Sequence, residues 1–328
     1  MTQKVLSYDL GGTKLAVGIV NRRGEVLESI QVPVLMEQGK QAVIQQLTHW
    51  GKELIKKHPT VQRAGIASAG PLDPVKGLLL DPTNFAGPQG TWGKVPLTQI
   101  LSKQLKIPVF LENDAAAAIL AEHWVGSARN HQDAMILTLG TGLGTGILCN
   151  GELARAGKHR HTEAGHIILH FQDLSAPCGC GNLGCAEAYL SGRNFGRRAQ
   201  QRLGRSDLTA KDIVDLAKRH DPRALAAFEE YSEVLAVALY SYTKIYCPEI
   251  FIFAGSFAQA APLFLPHAKA HLKRLMEREL KTNPMPKLVV SKLKNHSGLI
   301  GGAYVAFHRS EEGVKKARQG TAKKKNQK

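Results

Sequence analysis

The chain has 328 residues, of which 43% are apolar and 21% are charged. A chain of this length and composition is typical of a folded globular protein and is long enough for two domains. Apolar runs such as Met135–Leu139 and Ile250–Ala254 are far shorter than the roughly 20 residues that a transmembrane helix needs, so we expect no membrane partner. No signal-peptide pattern opens the chain, which predicts a cytoplasmic location.

The formal net charge of +16, from 43 basic and 27 acidic residues, raises the question of a nucleic-acid partner. Part of the excess lies in residues 313–328, a basic stretch without apolar periodicity that we expect to be a disordered tail. The rest is spread along predicted helices, as at Lys52, Lys56 and Lys57, and is interpreted as solvated surface. A basic surface also steers polyphosphate substrates toward a protein.

The chain opens with strands joined by tight turns. A strand is predicted over Lys4–Tyr8, and a glycine-rich turn joins it to a strand over Leu15–Val20. A second turn leads to a strand over Glu25–Gln31, and apolar residues at helical spacing predict a helix over Lys40–His58. The elements predicted next are a strand over Ala64–Ser68, a loop over Lys76–Gln89, a helix over Val95–Leu105, a strand over Pro108–Leu111 and an alanine-rich helix through Trp124.

The opening pattern then recurs. A strand over Ala134–Leu139, a glycine-rich turn over Gly140–Gly146 and a strand over Ile147–Cys149 repeat the first strand, turn and strand. The elements that follow are helices over Asp212–Arg219, Ala224–Tyr246, Pro262–Leu280 and Leu299–His308, with strands over Ile250–Phe253 and Lys287–Val290. Because the unit occurs twice, the sequence predicts a duplicated α/β pair of lobes with a cleft between them.

The two glycine-rich turns predict a phosphate-binding site. Glycines let an anion approach the main chain, and the turn over Asp9–Lys14 adds the hydroxyl of Thr13. Asp9 is suited to hold Mg²⁺, through water, because magnesium keeps much of its hydration shell. Each turn alone is also typical of an ordinary structural hairpin, but the pair together favours nucleotide binding.

Asp114 is the candidate general base. It lies at a strand-to-helix junction, where a carboxylate can accept the proton of a sugar hydroxyl as a phosphoryl group is transferred. The alternative interpretation is that Asp114 simply caps the helix that follows.

A cysteine-rich segment predicts a metal site. Three cysteines and one histidine, a standard set for structural zinc, are Cys178, Cys180, Cys185 and His166. Four protein ligands leave no open position, so the zinc would build a pocket and perform no chemistry. A disulfide or simply buried thiols are the alternatives. The residues that could hydrogen-bond a polyol near this segment and near Asp114 are Glu163, His166, Glu187, Asn113 and Asn84.

Five motifs occur in an order that resembles the ROK family of bacterial sugar kinases, related repressors and uncharacterised proteins. They are Asp9-Leu-Gly-Gly-Thr-Lys14, Glu112-Asn-Asp114, Leu139-Gly-Thr-Gly-Leu-Gly-Thr-Gly146, Glu163-Ala-Gly-His166 and the CxCGxxGCxE run from Cys178. The resemblance extends from Val5 to Phe307. It implies an actin-like, ribonuclease H-like fold with ATP in the interlobe cleft, and phosphorylation of a hexose or N-acetylhexosamine, usually at the C6 hydroxyl.

The resemblance also assigns domains and roles. It implies an N-terminal lobe over residues 1–115, rejoined by the helix over residues 299–308, and a C-terminal lobe over residues 116–298 with a zinc-binding insertion. The implied sugar contacts are Gly70, Asn84, Asn113, Asp114, Glu163, His166 and Glu187. The implied nucleotide contacts are Asp9, Gly11, Gly12, Thr13, Lys14, Gly140, Thr141, Gly142, Gly144 and Gly255. The implied zinc ligands are His166, Cys178, Cys180 and Cys185.

Two departures from the family pattern concern the sugar. Ala69-Gly70 stands where Pro-Gly is common, and Asn84-Phe-Ala86 stands where Asn-Leu-Pro is common. Glucose is the first choice of substrate. N-acetylglucosamine, N-acetylmannosamine, mannose and fructose are alternatives, because one acetamide contact cannot be read from a linear sequence.

Two other classes of protein are weaker predictions. Family repressors carry a winged-helix segment before the first glycine turn, whereas here the first strand begins at once. A nucleic-acid-binding zinc protein is suggested by basicity, but the cysteine segment lacks interleaved aromatics and stands beside acidic residues, so no specific nucleic acid is expected. Relatives are often dimers or tetramers, which implies a homodimer or homotetramer.

Overall fold

The structure is a computed structural model, and it describes residues 3–82, 85, 90–155, 157 and 160–309. Asn84 and the predicted tail over residues 313–328 lie outside the described residues. The chain forms two compact units, and the described parts of residues 1–129, 154–161 and 295–328 belong to unit 1. Unit 2 takes residues 130–153 and 162–294. The chain therefore crosses from one unit to the other more than once.

The described strands and helices give each unit one mixed sheet and a set of helices. The strands are β1 (Lys4–Leu10), β2 (Lys14–Asn21), β3 (Val26–Pro33), β4 (Ala64–Ser68), β5 (Leu72–Asp73), β6 (Leu78–Leu80), β7 (Lys94–Val95), β8 (Val109–Asn113), β9 (Ala134–Leu139), β10 (Leu143–Cys149), β11 (Glu152–Leu153), β12 (Ile250–Ala254) and β13 (Lys287–Val290). The helices are α1 (Lys40–Lys57), α2 (Leu97–Leu105), α3 (Asp114–Val125), α4 (Ala186–Leu190), α5 (Gly192–Leu203), α6 (Ala210–Lys218), α7 (Pro222–Tyr246), α8 (Ala261–Met276) and α9 (Ser297–His308).

The main sheet of unit 1 has the strand order β3-β2-β1-β4-β8. Its first three strands are antiparallel neighbours, and β1, β4 and β8 are parallel neighbours. The sheet of unit 2 has the order β11-β10-β9-β12-β13 with the same alternation of directions. The predicted duplication, and with it the predicted fold class, is confirmed.

The central strands are buried because helices cover them. All residues of β4, β8 and β12 are buried, as expected for parallel strands with both faces covered. In unit 1, α9 packs against β1, β4 and α3. Glycine permits this approach: a Cβ atom at Gly65 would lie 1.9 Å from the carbonyl oxygen of Gly302, and one at Gly301 would lie 2.3 Å from that of Ala117.

Some predicted elements differ from the observed ones. Part of the predicted loop over Lys76–Gln89 forms β6, which pairs with β5 and β7 in a small separate sheet. The helix expected from Val95 begins at Leu97, because Pro96 precedes it as the N-cap. The glycine turn expected to reach Gly146 ends earlier, because β10 begins at Leu143. In the described part of the chain, no helix has the length and apolar character needed to cross a membrane.

Candidate functional site

Two predicted site residues of unit 1 lie at the carboxyl ends of parallel strands. The register pairs Asp9 of β1 with Ala67 of β4. It also pairs Ser68 of β4 with Asn113 of β8. Because parallel strands end at one edge of a sheet, Asp9 and the Asn113–Asp114 pair lie at the same edge, where ligands bind in many α/β proteins.

The start of α3 fixes the side chain of Asp114. Asn113 is the N-cap of this helix, and its Oδ1 accepts a hydrogen bond from the N–H of Ala116 at 3.0 Å. Asp114 is therefore not the cap, and the alternative interpretation of this residue is wrong. Its Oδ1 accepts from Nδ2 of Asn113 at 2.9 Å and from the N–H of Ala115 at 2.8 Å. The carboxylate is thus held in one orientation, as a general base requires.

Asp9 lies partly buried beside the first turn of α9. A Cβ atom at Gly298 would lie 2.2 Å from Cγ of Asp9, so only glycine leaves room for the carboxylate there. Burial, followed by repulsion from Asp114, raises the pKa of Asp9 to about 7. A buried carboxylate is costly to ionise in the free protein, and a bound cation would offset that cost. The surroundings of Asp9 therefore fit its predicted magnesium role.

The first glycine turn, between β1 and β2, presents its tip to solvent. The N–H of Gly11 donates to the carbonyl of Lys14 at 3.0 Å and closes the turn. Thr13 and Lys14 are exposed, and Gly12 is partly exposed. The hydroxyl, the ammonium group and the main chain at this tip are therefore accessible to an anion.

Gly70 follows β4 and lies near Asn113. A Cβ atom at Gly70 would lie 3.7 Å from Nδ2 of Asn113 and 3.3 Å from Cε1 of His161. His161 is 9% exposed and belongs to the segment over residues 154–161, which returns to unit 1 after β11. No sequence signal points to His161, since it is one of 13 histidines and belongs to none of the five motifs.

The predicted zinc ligands of unit 2 come together. The ligand atoms of His166, Cys178, Cys180 and Cys185 all lie within 4.8 Å of one another. Sγ of Cys178 is 3.4 Å from Nδ1 of His166, and the sulfurs of Cys180 and Cys185 are 3.7 Å apart. A tetrahedral site with Zn–S near 2.3 Å and Zn–N near 2.0 Å has ligand–ligand edges of about 3.5–3.8 Å, so the donor set fits zinc in kind and in spacing.

The disulfide alternative for these cysteines is wrong. All five cysteines of the chain are described and all are free. The 3.7 Å between the sulfurs of Cys180 and Cys185 far exceeds the roughly 2.05 Å of a disulfide bond.

Tight turns bring the cysteines together. Gly181 and Gly184 adopt φ values of 90° and 73°, a region that glycine enters without steric cost. The N–H of Gly181 donates to the carbonyl of Cys178 at 3.0 Å, and the N–H of Cys178 donates to that of Asn182 at 2.9 Å. The backbone therefore closes around the sulfurs through its own hydrogen bonds.

Glu187 joins the cysteine–histidine cluster to the second glycine turn. It lies in the first turn of α4, and its Oε1 accepts from Sγ of Cys178 at 3.3 Å. Its Oε2 accepts from the N–H of Leu143 at 3.0 Å. A Cβ atom at Gly142 would lie 2.6 Å from that same oxygen. Glycine at position 142 therefore allows the turn to lie against the carboxylate.

A short 3₁₀ turn over Ala164–His166, preceded by Glu163, is anchored to its surroundings. The N–H of Ala164 donates to Oγ1 of Thr145 at 3.1 Å, and the hydroxyl of Tyr242 donates to the carbonyl of Ala164 at 2.7 Å. Glu163 is exposed and His166 is partly exposed. Both side chains are thus presented from a fixed backbone.

The second glycine turn lies where three elements of unit 2 meet. The N–H of Gly192, at the start of α5, donates to the carbonyl of Gly140 at 2.8 Å. Gly255 follows β12 with φ of 89°, and a Cβ atom there would lie 2.4 Å from the carbonyl oxygen of Leu139. Thr141 is exposed, whereas Gly144 lies within β10, opposite Thr138. The turn proper is therefore shorter than predicted.

Comparison with known proteins places this geometry in a family. A sequence model of the ROK family matches residues 5–309. A glucokinase from Thermotoga maritima is 32% identical over 320 residues, covering 93% of this chain and 98% of that protein. The crystal structure of a ROK hexokinase from Thermus thermophilus matches with a TM-score of 0.78 at 30% identity, covering 93% of this chain and 98% of that chain.

A second solved structure is a ROK family glucokinase from Streptomyces griseus, in complex with glucose and AMPPNP. It matches with a TM-score of 0.78 at 27% identity and covers 93% of this chain and 100% of that chain. The family match spans both units, and the motifs that suggested it lie where the fold places strand ends and glycine turns. The chain belongs to the ROK family.

Proposed function

We propose that the protein is an ATP-dependent hexose kinase, with the C6 hydroxyl of glucose as the acceptor. The observation that carries this proposal is the oriented carboxylate of Asp114 at the same sheet edge as Asp9. A phosphoryl transfer needs little from a protein beyond placement, a base for the acceptor hydroxyl and neutralisation of phosphate charge.

In this proposal, Asp114, Asp9 and the two glycine turns have separate roles in phosphoryl transfer. Asp114 accepts the proton of the sugar hydroxyl as that oxygen attacks the terminal phosphorus of ATP, and ADP leaves. Asp9 would hold Mg²⁺ through water, and the bound ion would neutralise charge on the phosphate oxygens. The residues that line the phosphates and the adenosine are, in this proposal, Gly11, Gly12, Thr13, Lys14, Gly140, Thr141, Gly142, Gly144 and Gly255.

The proposed sugar contacts are Gly70, Asn84, Asn113, Asp114, Glu163, His166 and Glu187, of which Asn84 lies outside the described residues. Oε2 of Glu187 already accepts a main-chain hydrogen bond, so this side chain is pre-positioned before a sugar arrives.

We further propose that one structural zinc ion is held by His166, Cys178, Cys180 and Cys185. Nδ1 of His166 faces the sulfur of Cys178, so metal on Nδ1 would leave Nε2 as the donor to a sugar hydroxyl. We also expect a cytoplasmic homodimer or homotetramer, which light scattering on the purified protein would measure.

A coupled assay for ADP release tests the function. The panel is glucose, mannose, fructose, N-acetylglucosamine and N-acetylmannosamine, with a sugar-free reaction as the control. We expect the highest kcat/KM with glucose and glucose 6-phosphate as the product. A preference for N-acetylglucosamine would keep the kinase and change its substrate. If no sugar in the panel raises the rate of ADP release above that of the sugar-free control, the proposal is wrong.

A further inference from the structure

Glu112 stands directly before Asn113 and Asp114, at the end of β8, and it is 0% exposed. Removing a carboxylate from water costs several kcal/mol unless charge and hydrogen bonds compensate. Glu112 has no proposed contact with sugar, nucleotide or metal.

Two arginines compensate the charge. Nη2 of Arg155 lies 2.5 Å from Oε2 of Glu112, and Nη2 of Arg309 binds the same oxygen. Oε1 accepts from the main-chain N–H of Asn113 at 3.0 Å. Burial alone would raise the pKa of Glu112, but attraction to Arg309 and Arg155 outweighs it and holds the pKa below its ordinary value. The carboxylate is therefore ionised at neutral pH.

The two arginines come from the two segments that return to unit 1. Arg155 belongs to the segment over residues 154–161, and Arg309 directly follows α9. Arg309 also donates through Nη1 to the carbonyl of Leu111 at 2.6 Å and to that of Pro74 at 3.2 Å. Glu112, Arg155 and Arg309, named here the Glu112 cluster, thus join both returning segments to the end of β8.

The segment that carries Arg155 also reaches the acceptor side of the site. Arg155 and His161 form an antiparallel β-bridge, and His161 lies against Gly70 near the amide of Asn113. A change at Arg155 would therefore act at two places. It would disturb the strand end that carries Asp114, and it would release the segment that packs on Gly70.

We propose that the Glu112 cluster positions the general base and the adjoining acceptor wall, acting through Asn113–Asp114 and through His161. This inference rests on the proposed kinase function for its kinetic consequences. Its residues touch neither sugar nor nucleotide, so they are positioning residues. Their loss should affect the acceptor sugar and leave the first glycine turn, and with it ATP, nearly unchanged.

The variant R155A tests the inference, because Arg309 still compensates Glu112 when Arg155 is removed. We expect kcat to fall about 10- to 100-fold, since small misplacements of reacting groups cost factors of that size. KM for the sugar should rise, and KM for ATP should stay within about twofold. R155K should recover part of kcat, and so should millimolar guanidinium added to R155A. The matched control is R205A, which removes an arginine from an exposed pair with Asp207.

A second readout does not depend on kinase activity. The amides of Ala115 and Ala116 donate to Asp114 and Asn113, so their hydrogen exchange reports the geometry of this helix start. In R155A we expect both amides to exchange at least about tenfold faster, with amides of α7 unchanged. Unchanged exchange at both amides would overturn the proposal. A lower melting temperature with kcat per folded molecule unaltered would also overturn it, since that is a purely structural role. If the wild-type protein phosphorylates no hexose, the proposed kinase function is wrong. The exchange experiment would still test whether the Glu112 cluster positions the start of α3.

Discussion

The sheets of the two units share one strand pattern but carry different chemistry at matching positions. In unit 1, Asp9 is the next-to-last residue of β1, and it pairs with Ala16 of β2. In unit 2, Thr138 is the next-to-last residue of β9, and it pairs with Gly144 of β10. The sheet of unit 1 thus presents a carboxylate with a raised pKa at this position, and the sheet of unit 2 presents an uncharged hydroxyl.

The last strands of the two sheets differ in the same way. All of β8 is buried, and it delivers Asn113 into the start of α3. By contrast, every residue of β13 is partly or fully exposed, and no helix follows this strand directly. The proposed general base therefore lies in unit 1, whereas unit 2 carries the second glycine turn and the cysteine–histidine cluster. The two units therefore share one strand pattern and differ in the side chains at the strand ends, where function is determined.

Removing the base of unit 1 should have the largest effect. In D114N the side chain keeps its shape but cannot accept a proton, so we expect kcat to fall by about 10²–10⁴-fold. Sugar and ATP binding, measured by calorimetry, should change little. The control is D221N at the cap of α7, where asparagine caps as well as aspartate. Turnover of D114N near that of the control would remove Asp114 as the base.

Breaking the cysteine–histidine cluster tests what is particular to unit 2. We expect about one zinc per chain in protein purified without chelator, and little zinc in C178S, since a thiolate ligand is lost. The melting temperature should fall and KM for the sugar should rise. C149S, which alters a cysteine outside the cluster, is the control. Wild-type protein without zinc would refute the proposed metal.

Giving unit 2 the carboxylate of unit 1 tests the asymmetry directly. T138D places a second carboxylate at the position that matches Asp9, where it would repel phosphate. We expect KM for ATP to rise about tenfold, which corresponds to about 1.4 kcal/mol. T138N has the same shape without the charge and should behave like the wild type. Equal KM values for the two variants would mean that position 138 does not face the nucleotide.

The last prediction concerns stability instead of activity. Because the pKa of Asp9 is raised in the folded protein, ionising it costs stability as pH rises from about 4 to about 7. In Mg²⁺-free protein, D9N should therefore be more stable than the wild type at pH 8, by up to about 4 kcal/mol, with the gain vanishing near pH 4. Urea unfolding across this range measures this gain, with D215N as the control, since Asp215 is only partly buried. A gain that does not depend on pH would contradict the assigned cause.

Local signals made much of this predictable. The two glycine turns, the metal ligands and the junction before Asp114 are short motifs, and their residues lie close together because they are close in sequence. Whether Asn113 or Asp114 caps α3 was not predictable, because both types cap helices well. The strand β6 was missed because three residues form it only by pairing with β5 and β7.

Long-range pairing explains what else was missed. In the sequence Glu112 is visible only as part of a motif, since its partners Arg155 and Arg309 are 43 and 197 residues away along the chain. His161 reaches Gly70 only because the chain returns to unit 1 after β11. Contacts of this kind depend on topology, which periodicity does not reveal.

The return of α9 to the first sheet has a consequence for synthesis on the ribosome. Unit 2 ends at residue 294, whereas unit 1 needs residues 295–309 to cover β1 and β4. The nascent chain can therefore complete its second half before its first, although domains are usually finished in order from the N-terminus. Until translation passes Arg309, Glu112 lacks one of its two cations, and the strand end before Asp114 lacks one of its anchors.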